Sequence, residues 1–216
     1  MWNRSKNQID LVMIRHGAAE SNRERRYLGK TDEALASEGI SRLLEAKNTG
    51  YYPEVGCVFS SPMKRCIETA KILYPEKKPV MIQEWEEIDF GIFEGKNYRD
   101  LQNDLQYQNW IDSGGTLPFP EGESRKTFVH RCRIGMYKMV DLLSQFSKNM
   151  MCEDEPVGII VHGGTIMSIL SSYGGGSYFE YQVSNGEGYR CKLQYEIRDM
   201  AEHHNKIFKI TDIKKL

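Results

Sequence analysis

Two histidines in this chain of 216 residues follow short, largely apolar runs and precede a glycine. His16 comes one residue after the run Ile9–Ile14, and His162 comes directly after Pro156–Val161. Runs of this length with β-branched members are typical of buried parallel strands, whose carboxyl ends form the ligand-binding edge of an open α/β sheet. We therefore predict that both imidazoles lie at one edge of a sheet, although a stray histidine in a polar loop is the plainer alternative for each alone.

Two arginines accompany these histidines and suggest an anionic ligand. Arg15 precedes His16, and Arg65 follows the segment Ser60-Ser61-Pro62, where a second strand gives way to a helix. Guanidinium groups carry a permanent charge and forked donors that match phosphate oxygens, and a helix starting near Gly163 would add backbone N–H groups. The sequence has no zinc-type Cys/His spacing and no magnesium-type acidic cluster, so we expect side chains rather than a metal to neutralise the phosphate.

Phosphate chemistry on this set of residues needs a nucleophile and an acid. A neutral imidazole can attack phosphorus and form a covalent phospho-enzyme. The leaving alkoxide then takes a proton from a carboxylic acid whose pKa is raised by apolar surroundings. The segment Gln83–Gly95 supplies carboxylates interleaved with large apolar side chains. Chemistry alone does not decide between its members Glu84, Glu86, Glu87 and Asp89.

Four motifs follow one another from Ile9 to about Leu170: Arg15-His16-Gly17 with Asn22, Ser60-Ser61-Pro62-x-x-Arg65, Glu87-Ile88-Asp89-Phe90-Gly91-x-x-Glu94-Gly95 and Val161-His162-Gly163-Gly164. Their order and approximate spacing resemble those of the histidine phosphatase (phosphoglycerate mutase-like) superfamily. The resemblance implies that His16 is the phosphorylated nucleophile and that Glu87 donates and accepts the proton. It also implies a phosphate pocket completed by Arg15, Arg65 and His162, with Asn22 as a neighbouring contact, and the helix start at Gly163 is expected to add backbone donors.

Two features bear on the reaction that the resemblance implies. Ala18 and Ala19 stand where many members have an acidic and then a hydroxyl residue, so a donor near the phosphate is in question. The region 96–123 has no paired arginines like those with which mutases of this type grip a carboxylate. We therefore expect a metal-independent, cofactor-free phosphatase that resembles alpha-ribazole phosphatases and broad-specificity phosphatases. A phosphoglycerate mutase and a non-catalytic phosphate-ester binding module are the alternatives.

The elements that must position these residues predict an α/β fold. Helices are expected at Ser37–Asn48 with Ser37 as N-cap, after Ser61 with Pro62 in the first turn, and from Ser124 to about Ser147. Alternating apolar residues near the end of the chain predict an antiparallel strand pair. We expect one domain over 1–216, a three-layer α/β/α sandwich with a mostly parallel sheet and an antiparallel edge, with an insertion or lid at about 96–123.

Composition limits the remaining classes. The formal net charge is −1, which gives no pull toward nucleic acid or an anionic membrane, and no run approaches the roughly 18 apolar residues that span a bilayer. The five cysteines show no paired spacing, and the first residues lack the apolar core of a signal peptide, so we expect a cytoplasmic protein with reduced thiols. The expected partner is a small phosphorylated metabolite. The sequence does not indicate the oligomeric state.

Overall fold

The computed structural model describes residues 8–146, 155–197 and 206–216 and contains a single six-stranded sheet within them. Helices flank the sheet, and short 3₁₀ turns occupy Gln83–Trp85, Gly91–Phe93 and Tyr178–Tyr181. The strands are β1 (Gln8–Arg15), β2 (Cys57–Ser60), β3 (Val80–Met81), β4 (Val157–Val161), β5 (Gly188–Ile197) and β6 (Lys206–Lys215). The helices are α1 (Glu20–Arg23), α2 (Ser37–Asn48), α3 (Lys64–Leu73), α4 (Tyr98–Leu101), α5 (Leu105–Asp112), α6 (Arg125–Phe146) and α7 (Gly163–Tyr173).

The strand order is β3-β2-β4-β1-β5-β6, with β1 to β4 parallel. Strand β5 pairs antiparallel with β1, and β6 pairs antiparallel with β5. The predicted mostly parallel sheet with an antiparallel edge is therefore confirmed. Because β1 is the neighbour of β4, the segments that follow both strands emerge side by side at the same edge.

Alternation along β1 divides the core between the two faces of the sheet. Leu11 and Met13 belong to the apolar cluster that includes α6 and α7, whereas Val12 and Ile14 belong to the cluster that includes α2 and α3. Successive side chains of a strand point to opposite faces, so a strand buried on both sides requires a helical layer on each. The predicted three-layer α/β/α architecture is confirmed.

The predicted bounds of α2 are confirmed, but its predicted N-cap and the predicted start of α3 are wrong. Helix α2 begins at Ser37, but its N-cap is Ala36, whose N–H donates to the carbonyl of Ala18. Helix α3 begins at Lys64 rather than directly after Ser61. The backbone N–H of Lys64 donates to Asp32 Oδ1 at 2.7 Å, so a distant carboxylate satisfies a first-turn donor of this helix. The predicted cap at Ser124 is confirmed, since its Oγ accepts the N–H of Thr127 at 3.0 Å.

The region 96–123 contains the two short helices α4 and α5 followed by an irregular return. Within this region, the ring of Phe119 stacks on that of Trp110 with centroids 4.7 Å apart. It also packs edge-on against the ring of Phe90, with centroids 5.0 Å apart. The return segment is also fixed by its backbone, because Glu123 N–H donates to the carbonyl of Asp89 at 2.9 Å. This region is therefore packed against the carboxylate-rich segment 83–95. Among the residues described, no helix is both long and apolar enough to cross a membrane.

Candidate active site

The nucleophile candidate His16 lies just beyond β1 and is only 3% exposed. Its N–H donates to the carbonyl of Val161 at the end of β4, 2.9 Å away, which continues the strand pairing past the last residue of β1. The rings of His16 and His162 lie edge to face with centroids 5.1 Å apart. Adjacent parallel strands thus bring together two histidines that are separated by most of the chain.

The ring of His16 is held with one nitrogen available. Nδ1 lies 2.7 Å from the carbonyl oxygen of Gly17, which can only accept, so the ring proton is on Nδ1. Burial, reinforced by the positive charges of Arg65 and Arg15, lowers the pKa of His16 well below 6.5. The imidazole is therefore neutral at physiological pH, and Nε2 carries a free electron pair.

Arg65 is fully buried and Arg15 is partly buried, and backbone carbonyls hold both guanidinium groups. Arg15 donates from Nη1 to the carbonyl of Val183 at 2.7 Å, and Arg65 donates from Nη1 and Nη2 to the carbonyls of Thr31 and Gly29. Neither forms an ion pair with a described residue, and the Nε atom of each is buried without a hydrogen-bond partner among them. Buried charges are normally paired, so two uncompensated guanidinium groups with unused donors indicate a site for an anion.

His162 is fully buried and is the N-cap residue of α7. Its Nε2 lies 2.9 Å from Ser61 Oγ, and the thiol of Cys66 lies 3.7 Å from the same nitrogen. Burial, together with the charge of Arg65 and the neighbouring His16, lowers the pKa of His162 well below 6.5. This second imidazole is therefore also neutral.

Glu87 lies between the 3₁₀ turns 83–85 and 91–93 and is partly buried. Its Oε1 accepts the backbone N–H of Ile88 at 3.0 Å, and a side chain on Gly164 would come within 2.6 Å of the same oxygen. Burial raises the pKa of Glu87, against the opposing effects of the Ile88 N–H, Arg65 and Arg15. A carboxyl group with a raised pKa beside two cations is suited to hold and release a proton.

Three other residues singled out from the sequence, Asn22, Gly163 and Ala18, lie around His16 and Arg15. Asn22 Oδ1 accepts the N–H of Ala19 at 3.0 Å, and Ala19 itself is fully buried. Gly163 packs against Arg15, since a Cβ there would lie 3.4 Å from its Nε. Ala18 gives its carbonyl to the N-cap of α2 and lies close against Gly39. The segment after the Arg-His-Gly motif is therefore fixed mainly through its backbone.

Three side-chain contacts with Gly17, His16 and His162 were not predicted from the sequence. Thr69 Oγ1 accepts the N–H of Gly17 at 3.0 Å, Asn185 donates to the carbonyl of His16 at 3.0 Å, and Ser61 contacts His162. Thr69 lies one turn after Arg65 in α3, and that spacing is the one signal that could have identified it. The contact of Asn185 joins loops that are far apart in sequence, and no local pattern predicts it.

A cavity of about 620 Å³ opens beside Glu87. Two cationic side chains line this cavity, and both form salt bridges, Lys30 with Asp89 at 2.6 Å and Arg131 with Glu123 at 2.8 Å. Arg131 also donates to three backbone carbonyls of the segment 84–87. In the described part of the chain, no group of three or more His, Cys, Asp or Glu side chains is arranged to hold a metal ion.

The family model of the histidine phosphatase superfamily (branch 1) matches residues 11–196, a span that holds both histidines, both arginines and Glu87. The chain belongs to this superfamily. One relative is the uncharacterized phosphatase PhoE of Bacillus subtilis, 26% identical over 171 residues that cover 77% of this chain and 78% of the relative. Another is a 2,3-bisphosphoglycerate-dependent phosphoglycerate mutase of Rhizobium etli, 28% identical over 171 residues, which cover 74% and 77%. The curated relatives thus include both phosphatases and mutases.

Solved structures agree with the fold. A putative alpha-ribazole-5′-P phosphatase of Escherichia coli superposes with a TM-score of 0.69 at 18% identity, covering 94% of this chain and 95% of that one. Mycobacterial hydrolase 1 superposes with a TM-score of 0.71 at 20% identity, covering 94% and 97%. At these identities the similarity establishes the phosphoglycerate mutase-like fold alone.

Proposed function

We propose that this protein is a metal-independent phosphomonoester hydrolase that acts through a phospho-histidine on a small phosphorylated metabolite. The observation that carries the proposal is the state of His16, a buried neutral imidazole whose Nδ1–H is fixed on Gly17. Its free Nε2 is the atom that attacks phosphorus. In this mechanism residues 1–216 form one catalytic domain, and the region 96–123 forms one wall of the cavity that holds the leaving group.

In the first step, Nε2 of His16 attacks the phosphorus atom and the bond to the ester oxygen breaks. The buried guanidinium groups of Arg15 and Arg65, with His162 and the backbone near Gly163, hold the phosphoryl oxygens as charge develops on them. Glu87, whose pKa is raised by burial, gives its proton to the departing alkoxide. Asn22 holds the backbone after the Arg-His-Gly motif through Ala19.

In the second step, the Glu87 carboxylate takes a proton from water, and the resulting hydroxide attacks the phosphorus of phospho-His16. The P–N bond breaks, inorganic phosphate leaves, and the neutral imidazole and the protonated Glu87 are both regenerated. Fixed cations beside both histidines supply the charge neutralisation that a metal ion supplies in other phosphatases.

The cavity beside Glu87 favours hydrolysis over mutase activity. A phosphoglycerate carries a carboxylate that needs a cation, but Lys30 and Arg131, the cations that line this cavity, are committed to Asp89 and Glu123. The mutase remains the second candidate because phosphoglycerate mutases are among the relatives. A cytoplasmic location fits the buried thiols of Cys66, Cys132 and Cys191, which form no disulfide.

Phosphate release from p-nitrophenyl phosphate tests the proposal. We expect activity that is undiminished by EDTA and abolished in His16→Ala, with acid-labile, base-stable radiolabel retained on the wild-type enzyme after rapid quenching. Interconversion of phosphoglycerates primed by bisphosphoglycerate would favour the mutase instead. Binding of phosphate esters without either reaction would indicate a binding module. A screen of alpha-ribazole 5′-phosphate, sugar phosphates and phosphoserine would then identify the substrate.

A further inference from the structure

The contact between Ser61 and His162 joins two residues that follow neighbouring strands. Ser60 pairs with Ile160 across β2 and β4, and the N–H of Ser61 donates to the carbonyl of Ile160 at 3.0 Å. Ser61 is fully buried, and its Oγ lies 2.9 Å from Nε2 of His162. The hydroxyl is thus placed by the strands themselves rather than by a mobile loop.

The hydrogen-bond partners of Ser61 determine which way the proton points. Its Oγ accepts the backbone N–H of Met63 at 3.4 Å, which occupies one acceptor position of the hydroxyl. Two groups could receive the hydroxyl hydrogen of Ser61, Nε2 of His162 at 2.9 Å and the thiol of Cys66, which also hydrogen-bonds Ser61. A ring nitrogen is a much stronger acceptor than a thiol sulfur, so the geometry favours donation to Nε2. Were Nε2–H the donor instead, the buried hydroxyl hydrogen would be left with the weak thiol acceptor, at a cost that buried polar groups normally avoid.

This direction fixes the tautomer of His162. A neutral imidazole carries one ring proton, so a ring that accepts at Nε2 carries it on Nδ1. Nδ1 lies 3.9 Å from the thiol sulfur of Cys66, which is a weak acceptor. The Nδ1–H bond therefore remains available to a phosphoryl oxygen, whereas the other tautomer would turn an electron pair toward the anion.

We propose that Ser61 is a positioning residue that donates to Nε2 of His162 and so holds its ring proton on Nδ1 as a donor to the phosphoryl group. The inference rests on the proposed phosphatase function for the role of that donor, but not for the tautomer itself. Burial, together with the charges of Arg65 and Arg15 and the neighbouring His16, disfavours the imidazolium of His162, which would carry both ring protons and need no positioning.

Long-range ¹⁵N–¹H correlation spectra of histidine-labelled protein test the tautomer directly, with the His162 signals assigned through His162→Gln. We expect the Nδ1–H tautomer in the wild type and in Ser61→Thr, which keeps the hydroxyl, and a mixture of tautomers in Ser61→Ala. Ser60→Ala is the matched control. It removes a neighbouring buried hydroxyl that donates to the Ser61 carbonyl at 2.8 Å without touching His162. It should leave the tautomer unchanged.

Turnover of p-nitrophenyl phosphate provides the second readout. We expect kcat/KM to fall about tenfold in Ser61→Ala, the loss of one hydrogen bond in the transition state, and to be retained in Ser61→Thr. If Ser61→Ala does not fold, Ser61→Cys replaces it, because a thiol is a poor donor of similar size. An Nε2–H tautomer in the wild type, or an unchanged tautomer in Ser61→Ala, would overturn the inference. An inactive wild type with the Nδ1–H tautomer would instead overturn the proposed phosphatase function.

Discussion

The proton donor offers the sharpest test of the mechanism, because Glu87→Gln removes the acid while keeping the shape of the side chain. The glutamine Oε1 can still accept the N–H of Ile88, which lies 3.0 Å from Oε1 in the wild type. General acid catalysis contributes typically about 10²- to 10⁴-fold, and most where the leaving oxygen is strongly basic. We expect phosphorylation of His16 by glycerol 3-phosphate to slow by that factor in Glu87→Gln. Phosphorylation by p-nitrophenyl phosphate, whose leaving group needs little help, should slow by no more than about tenfold.

The second step separates this mechanism from a merely structural effect. Because Glu87 also activates the water that cleaves phospho-His16, the variant should accumulate the covalent intermediate. Rapid-quench experiments with p-nitrophenyl phosphate should therefore show a burst of about one p-nitrophenolate per active site, followed by slow turnover. Glu86→Gln is the matched control, since Glu86 is an exposed neighbour that lines the same cavity, and it should show no burst.

Two results would refute this reasoning. One is an equal loss of the phosphorylation rate with both esters, which would mean that Glu87 does not protonate the leaving group. The other is the absence of a burst in Glu87→Gln when single-turnover phosphorylation still occurs, which would mean that another group activates the water. Loss of both steps together with a lower melting temperature would point to disrupted packing instead.

Three further predictions concern stability and pH. Because burial raises the folded-state pKa of Glu87 above 4.5, the wild type loses stability relative to Glu87→Gln as pH rises through that pKa. The melting temperature of the variant should therefore rise relative to that of the wild type as the pH rises above 4.5. Thr69→Val leaves the buried N–H of Gly17 unpaired and should cost about 1–3 kcal/mol in urea unfolding, whereas Thr69→Ser should restore it. The lowered pKa of His16 places the acid limb of kcat/KM below pH 6.5, and a limb near neutrality would contradict a neutral buried nucleophile.

The sheet and its edge could be predicted from the sequence because their signals are local. The apolar runs before His16 and His162 mark buried strands, and the carboxyl ends of adjacent parallel strands meet at one edge. The amphipathic stripe of α6 likewise predicts its burial, with Phe128, Cys132 and Met136 all fully buried. These local signals predict the fold class and the proximity of the two histidines.

The start of α3 could not be predicted, and the reason concerns the site. Ser61 followed by proline is a strong local signal for a helix start, but the hydroxyl of Ser61 contacts His162. The helix begins three residues later at Lys64, whose backbone N–H donates to Asp32. Ser61 has a side chain that suits a helix cap, but its hydroxyl is used in a tertiary contact with His162. Local sequence rules therefore predict the wrong role for it. The hydrogen bond from Asn185 to the carbonyl of His16 could not be predicted either, because the two residues lie 169 positions apart in the sequence.

The arginines have opposite consequences for the two histidines and for Glu87, because a nearby positive charge disfavours an imidazolium but favours a carboxylate. Arg15 and Arg65 are held by backbone carbonyls, which orient a guanidinium group without cancelling its charge, whereas carboxylate partners would have neutralised it. Burial and this charge together lower the pKa values of both imidazoles, whereas burial raises the pKa of Glu87 in spite of the same charge. A phosphoryl anion entering the pocket supplies the missing negative charge. The strain of two unpaired buried cations is therefore relieved by the ligand, which is what a site selective for a phosphate ester requires.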